Sequence, residues 1–388
     1  MTPSGDPARV DVLLGVGYDP DPRVRRETQA LDAAGYAVRI LAWDRDGTRP
    51  ASERDGMVSV ERIAIRSSWG RGPSQVLFFA ILAARYLRSV RRRRPEVLHA
   101  VDLPMLAIAV LIAPFAGRPS IVYDAFELYA VMVSRRMPKP VVAVIDRLER
   151  WLPRYATVVI TPGEIRQRYL RARGIDSVVV ANWIDPPSPG VQRDEARREL
   201  GIPSDRFVIV YAGSLHPARD LDSLIEHARR VPTDLIVIAG RGEDEERLRG
   251  LADGVPNVRM LGWLRDPTAL IAAADVLYYA LRQDHPYAPW AAPNNLYVAI
   301  AQAVPLVYRP QGEQSIVGER YLIGRTFTDA ESLDRAIDEL RDEGTNAVVR
   351  RSLRDLQNQF AWERAASALL AAYPRKGKDA RSASAKGP

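Results

Sequence analysis

FVIVYAGSLHPARDLDSLIE, residues 207–226, runs from a short apolar stretch through a glycine turn into the start of a helix. Phe207 to Ala212 suits a strand, Gly213 ends it, and a helix is expected through Leu221 to Arg230. The same unit recurs downstream as DLIVIAGRG with a helix from Asp244 to Ala252, then VRMLGWL with a short helix, then DVLYYAL. APNNLYVAIAQAVPLVY, residues 292–308, follows as the start of a buried helix and the strand PLVY, with helices to about Ala372.

The first half repeats the alternation. VDVLLGVG leads to a helix from about Pro22 to Ala34, then come AVRILAW, a helix near Pro73 to Arg93, EVLHAVD, a helix, SIVYDAF, another helix and TVVITP. Strands alternating with helices argue for parallel sheets covered on both faces. VVVANWIDPPSPG carries three prolines and a glycine and marks a linker near Asp185 to Gly190. The expected architecture is α/β, with two facing, doubly wound, Rossmann-like domains, 1–187 and 188–374, separated by an interdomain cleft. The last helix is expected to pack back on the first domain, and residues 375–388 to form a disordered basic tail. Ligands in such sheets bind beyond the carboxyl ends of the strands.

Composition narrows the chemistry. Of the 388 residues 47% are hydrophobic, enough for two cores, and cysteine is absent, which removes disulfides and a thiol nucleophile. The histidines His99, His216, His227 and His285 are scattered along the sequence, so no metal cluster is expected. Net charge is +7 and lies in the first half, with 28 Lys/Arg against 20 Asp/Glu before Pro187. The N-terminus lacks the pattern of a signal peptide, and Leu103 to Gly117, with two prolines, falls short of a membrane span, so a cytoplasmic location is expected.

Several loops carry candidate chemistry. GVGYDPDPRVRRE offers Gly17, Tyr18, Asp19 and Arg23 to an acceptor or anion, or is a tight turn with a solvated basic face. YAGSLHPARDLD offers Gly213, Ser214 and Arg219 to a diphosphate, and a guanidinium fork suits phosphate oxygens. Gly242, in the similar turn IAGRG, is a further candidate for the donor. In VRMLGWL, Gly262 to Leu264 offer backbone groups to a heterocycle with Trp263 as the stacking surface, or Trp263 is a plain core tryptophan. Asp124 and Glu127 in SIVYDAFELY either serve a sugar as hydrogen-bond acceptors or base, or form an N-cap and its capping-box partner. Arg91, Arg92, Arg93 and Arg94 end an apolar helix and either lie on anionic lipid or form its solvated end. No recognition-helix pattern accompanies them, so nucleic acid is not an expected partner.

Taken in order, DPRVRRETQALDAAGYAVRIL, VLHAVD, YDAFELY, VVVANWID, YAGSLHPARDLDSLIE, IAGRGEDEERL, VRMLGWL, AADVLYYAL and PNNLYVAIAQAVPLVY resemble the GT-B-fold glycosyltransferases of family 4 over nearly the whole chain. The resemblance implies a retaining, metal-independent enzyme using a nucleotide-diphosphate sugar, with Asn294, Asn295, Leu296 and Val298 on the donor side. It also implies departures. An arginine and a lysine that grip the diphosphate are replaced by Ser214 and Arg219. The histidine of a subgroup's Asp-x-His-Glu is Phe126, and the lysine and glutamate of Pro-Asn-Lys-Leu-x-Glu are Asn295 and Val298. Losing a ribose acceptor forfeits roughly 0.5–3 kcal/mol. Asp284, His285, Tyr287 and Trp290 either replace lost contacts or form a longer ordered loop.

The expected function is transfer of a sugar from a nucleotide-sugar donor to a small-molecule or lipid-linked acceptor, with no cofactor beyond the donor and with peripheral contact at the inner membrane face. The alternatives are a catalytically inactive relative or auxiliary partner, and a relative with an unusual donor or a non-O-glycosidic bond. Asp44-Arg45-Asp46 resembles the metal-binding Asp-x-Asp of the other glycosyltransferase fold and is set aside because a second full βα domain follows.

Overall fold

The computed structural model describes residues 7–66, 74–188 and 190–374. The expected tail, 375–388, lies outside the described residues, as do Pro73 and the linker's Pro189. The chain forms two compact units, one comprising the chain up to Ala181 and again from Ala365, the other Asn182–Arg364.

The first unit contains strands β1 (Arg9–Leu14), β2 (Ala37–Asp44), β3 (Ser52–Asp55), β4 (Val58–Ala64), β5 (Val97–Val101), β6 (Ser120–Asp124), β7 (Val158–Thr161) and β8 (Val178–Val179). Its helices are α1 (Pro22–Ala33), α2 (Ser74–Arg93), α3 (Asp102–Ile112), α4 (Tyr129–Val133), α5 (Lys139–Trp151) and α6 (Glu164–Arg171). The sheet order is β3-β4-β2-β1-β5-β6-β7-β8, all parallel apart from the β3–β4 hairpin. Order reverses between β1 and β5, where Val12 lies beside His99. The hairpin is absent from the expectation because SERD is polar and exposed, leaving no apolar run to find. Its turn rests on Gly56 at φ +64°.

Helix α1 starts where Pro22 occupies the first turn and the Asp21 carboxylate accepts from the amides of Arg23 and Val24 at 2.9 and 3.1 Å. At the far end of α2 the arginine cluster divides. Arg91, Arg92 and Arg94 are exposed, but Arg93 turns inward, pairs with the buried Asp11 and donates to the carbonyls of Val10 and Ala37 at 2.8 and 2.6 Å. This corrects the reading of Arg91 to Arg94 as one outward patch: Arg93 ties β1 to β2.

The second unit contains α7 (Arg193–Glu199), β9 (Phe207–Ala212), α8 (Leu221–Arg230), β10 (Asp234–Ala239), α9 (Glu245–Ala252), β11 (Val258–Gly262), α10 (Thr268–Ala272) and β12 (Val276–Tyr279). It continues with α11 (Asn294–Gln302), β13 (Leu306–Tyr308), α12 (Gly312–Arg320), β14 (Gly324–Thr326), α13 (Ala330–Arg341), α14 (Glu343–Leu356) and α15 (Trp362–Ala372), whose residues from Ala365 on belong to the first unit. Its sheet is wholly parallel in the order β11-β10-β9-β12-β13-β14, so the order reverses between β9 and β12. Each unit is thus a doubly wound sheet with one switch point, the place where such sheets bind ligands. Among the described residues, no helix is long and apolar enough to cross a membrane.

Candidate functional site

At the switch point of the second unit the loops are joined through backbone. The Gly213 amide donates to Ala239 O at 3.0 Å, Leu215 N to Arg241 O at 2.9 Å, and Gly240 N to Gly262 O at 2.7 Å. These contacts bring chains so close that a Cβ on Gly240, which sits at φ +156°, would fall 1.8 Å from Gly213 O, and one on Gly242 would fall 2.1 Å from Leu215 O. Across the switch, Asp220 N donates to Ala280 O at 3.1 Å and Arg282 N to Ala218 O at 2.9 Å. Arg219 forms a bridge with Leu281 here, its guanidinium 4.9 Å from the Tyr279 ring and hydrogen-bonded to the Tyr279 hydroxyl.

Helix α11 joins the same place. Pro293 stands at its N-cap and brings no side-chain acceptor for the first amides. The Asn295 amide donates to Ala212 O at 3.0 Å, fixing the first turn of α11 against the end of β9. Gly213, Ser214 and Asn294 remain exposed beside it, whereas the Leu296 side chain is fully buried, so Leu296 offers the site only its backbone. Trp263 is 56% exposed, with the Arg241 guanidinium 4.9 Å from its ring, which overturns the core alternative for this tryptophan. Leu264 packs partly against the core. Between β12 and α11 the loop closes on itself, with His285 N donating to Arg282 O at 3.0 Å and Trp290 N to Tyr287 O at 3.0 Å.

The switch point of the first unit is built from side chains. Arg23, 3% exposed, donates from Nε to Asp124 Oδ2 at 2.9 Å, from Nη2 to Asp124 Oδ1 at 2.8 Å, and from Nη1 to Val180 O at 2.7 Å. Its Nη2 lies 2.9 Å from Glu27 Oε1, and His99 Nε2 lies 3.5 Å from Glu27 Oε2. Burial raises the Glu27 carboxyl above its ordinary range despite Arg23, and burial lowers His99 to about 4. The expected roles of two residues change here. Arg23 is sequestered and cannot present its guanidinium to an acceptor, and Asp124, fully buried, is neither an exposed base nor a helix cap. The next helix, α4, has Leu128 at its N-cap position and no side-chain cap.

Tyr18 also turns inward, contrary to its expected acceptor role. It is 1% exposed at φ +46°, and its hydroxyl donates to Asp55 Oδ2 at 2.7 Å. Arg62 holds the loop from below, donating to Gly17 O at 2.7 Å and Tyr18 O at 2.8 Å. Asp19 stays exposed, 4.0 Å from Arg49. Glu127 keeps a partly exposed carboxylate 3.3 Å from Arg166, and its amide donates to Asp102 Oδ1 at 2.8 Å. Asp102, at the carboxyl end of β5, sits at φ +65°, a costly conformation for a residue with a side chain.

Sequence reasoning missed Glu27, His99, Asp102 and Arg62. A signal existed for two of them: His99 is polar within a wholly buried strand, and Glu27 stands four residues after Arg23 on one helix. Histidines distant in sequence also meet partners in space. His99, Glu27 and Asp124 place ligand-type atoms within 4.8 Å of one another, but Arg23 already supplies the positive charge to both carboxylates. His216 and His285 lie with ring centroids 6.5 Å apart. Asp44 accepts from the amides of Gly47 and Arg49 at 3.1 and 3.2 Å, so it builds a turn.

Comparison with known proteins matches residues 20–183 to a glycosyl transferase 4-like domain and residues 206–343 to the glycosyl transferases group 1 domain. The chain belongs to the GT-B glycosyltransferases. It is 30% identical over 182 residues to the lipopolysaccharide core biosynthesis glycosyltransferase LpsE of Rhizobium meliloti, covering 45% of this chain and 52% of that protein. The chain thus spans about half the length of the curated relative it matches. Sucrose-phosphate synthase from Thermosynechococcus elongatus has the same fold at TM-score 0.78 and 17% identity, over 92% of this chain and 96% of that one. Anabaena HepE, solved with UDP, superposes at TM-score 0.71 and 16% identity, over 94% and 98%.

Besides Arg219, four positions depart from the GT-B family-4 pattern, and each now has an address. Phe126 lies between two guanidinium groups, 5.4 Å from Arg23 and 5.8 Å from Arg166. Ser214 is exposed and its carbonyl accepts from the Tyr211 hydroxyl at 2.7 Å. Asn295 is engaged with Ala212, and Val298 packs partly against the core. Phe126 and Asn295 have therefore acquired local side-chain partners within this GT-B protein, Ser214 is engaged through its backbone carbonyl, and Val298 has become apolar packing.

Proposed function

We propose that the chain transfers a sugar from a nucleoside-diphosphate sugar to an acceptor hydroxyl, with retention of configuration and with the diphosphate held by the second unit. The supporting observation is Arg219, half-buried at the switch point between β9 and β12 and steadied by Tyr279 beside exposed Gly213, Ser214 and the first turn of α11. As the bond from anomeric carbon to phosphate oxygen breaks, the leaving diphosphate gathers negative charge. A fixed guanidinium and helix amides stabilise that charge without reorganising. Trp263 supplies an exposed ring for the base. Glu127, with its partly exposed carboxylate, orients the sugar or acceptor, while buried Asp124 acts through Arg23 as a positioning residue.

UDP complexes exist for Anabaena HepE, which makes uridine diphosphate the first ligand to try. Calorimetric titration with UDP, GDP, ADP and their sugars is expected to show saturable binding by at least one, weakened about tenfold or more by Arg219→Ala, the loss of a charge-assisted contact. Absence of binding by the whole panel would refute the reading. Binding without donor hydrolysis or transfer would favour a catalytically silent relative, a reading motivated by the engagement of Asn295 with Ala212 and the apolar Val298.

A further inference from the structure

The first unit carries an apolar stripe that its own core does not cover. Val141, Val144, Leu148 and Trp151 recur at three- and four-residue intervals along α5 and so share one face. Val144 is 60% exposed, Leu148 39% and Trp151 40%, and Tyr155 just beyond the helix is 46% exposed. Trp151 and Tyr155 pack edge to face with centroids 5.0 Å apart, and the Arg154 guanidinium lies 5.3 Å from the Trp151 ring. Scattered exposed apolar residues need no explanation, but a continuous helical stripe ending in two aromatics does.

The charges around the stripe say what covers it. Residues 132–155 hold six basic side chains against two acidic ones, Asp146 and Glu149. Glu149 is turned inward, accepting from Tyr129 N at 2.6 Å, and Asp146 is bound by Arg150 at 2.9 Å. What faces solvent is therefore apolar and positive: valine, leucine and two amphipathic aromatics beside Arg147, Arg154 and Lys139. Tryptophan and tyrosine favour the boundary between hydrocarbon and headgroups, and arginine keeps its charge in water while its stem lies along the boundary.

We propose that α5 with Tyr155 is a peripheral docking face for an anionic lipid surface, lying flat with Val144, Leu148 and Trp151 in the headgroup boundary. With thirteen residues α5 is too short to span a bilayer. The mode is that of an interfacial amphipathic helix, combining apolar burial with attraction to anionic headgroups. This moves the expected membrane contact from the end of α2 to α5, because α2 has Arg93 bound into the sheet. It does not depend on the transfer reaction.

The test is co-sedimentation of the full chain with vesicles of phosphatidylcholine alone and of phosphatidylcholine with phosphatidylglycerol at about three to one. Binding is expected to the anionic vesicles, weakened by salt, and reduced about tenfold or more in a Val144→Glu/Leu148→Glu double variant, which sets two charges in the boundary. These positions are exposed, so an unchanged thermal melt will show that the fold persists. Brominated lipid should quench a fluorescence component that Trp151→Phe removes. Charge-neutralising changes at Arg88, Arg91 and Arg92 on α2 should leave binding within about twofold. Equal binding to both vesicle types, undiminished binding by the double variant, or loss on changing α2 alone would overturn the proposal. So would a concentration-dependent dimer abolished by the double variant in a protein that binds no vesicles, since the stripe would then meet a second copy.

Discussion

The two units share one kind of switch point, with the strand order reversing beside the first strand of each sheet, yet they hold their loops by different means. In the first, a buried network of Arg23, Glu27, Asp124 and His99 fixes the strand ends. In the second, the chain approaches itself at Gly240 and Gly242, and exposed or half-exposed groups such as Arg219, Ser214 and Trp263 stand outside. A loop held by its backbone leaves side chains and amides for a ligand, whereas a loop held by ion pairs uses up the charges that hold it. Arg23 and Arg219, similar in sequence context, accordingly differ in exposure.

The contrast is broken most severely at Arg23. Arg23→Met leaves the buried Asp124 carboxylate without its cation and Glu27 without its partner, and is expected to cost about 3–5 kcal/mol in denaturant unfolding. Arg219→Met, at a half-buried position, should cost under about 1 kcal/mol while weakening nucleotide binding. Equal destabilisation by the two changes would mean that Arg219 is structural as well. The next largest effect belongs to the backbone: Gly242→Ala forces Leu215 O away and should cost on the order of 1–3 kcal/mol. At Gly17 an added Cβ meets Arg49 Nη1 at 2.9 Å, the far end of a flexible side chain, so Gly17→Ala should stay within about 0.5 kcal/mol.

Acidity sharpens the comparison. Burial lowers His99 from 6.5 to about 4, so the unfolded chain binds its proton first, and this term raises stability as pH rises to 6.5. Glu27 is shifted upward from 4.5, so the folded chain keeps its proton longer, and this term lowers stability as pH rises through the shifted range. Between 4.5 and 6.5 the two oppose each other. Above 6.5 His99 is neutral in both states and Glu27 remains, so the first unit should lose about 1–2 kcal/mol as the pH rises beyond neutrality. Glu27→Gln should flatten that limb in pH-dependent melts. A limb that persists in the variant would assign it to another group.

The legibility of these features follows the same division. Strand and helix order could be read because apolar runs and glycine turns are local signals, and helix α8 falls at Leu221–Arg230 as expected. The β3–β4 hairpin could not, since exposed SERD carries no such signal. Among the candidate site residues, Gly213 and Arg219 were legible because one loop contains both, and the structure sets that loop at the switch point between β9 and β12. The fate of Arg23 was hidden because its partners Asp124 and Val180 lie 101 and 157 residues away, and a buried ion pair reads in sequence like a solvated basic face.

A modest effect addresses what the second unit has lost. Asn295→Ala removes the hydrogen bond to Ala212 O and should cost about 0.5–1.5 kcal/mol, with a modest decline in nucleotide affinity as the first turn of α11 loosens. Asn295→Lys removes the same bond and so should carry a similar stability cost, but it adds a cation beside exposed Ser214 and Asn294. If the diphosphate lies against the first turn of α11, the lysine should bind UDP more tightly than the alanine variant, with an advantage that shrinks as salt is added. The alanine variant supplies the reference because both changes break the same bond, leaving charge as the difference. Equal affinity of the two variants at low salt would place the diphosphate away from α11, leaving Arg219 and the Gly213 turn to hold it.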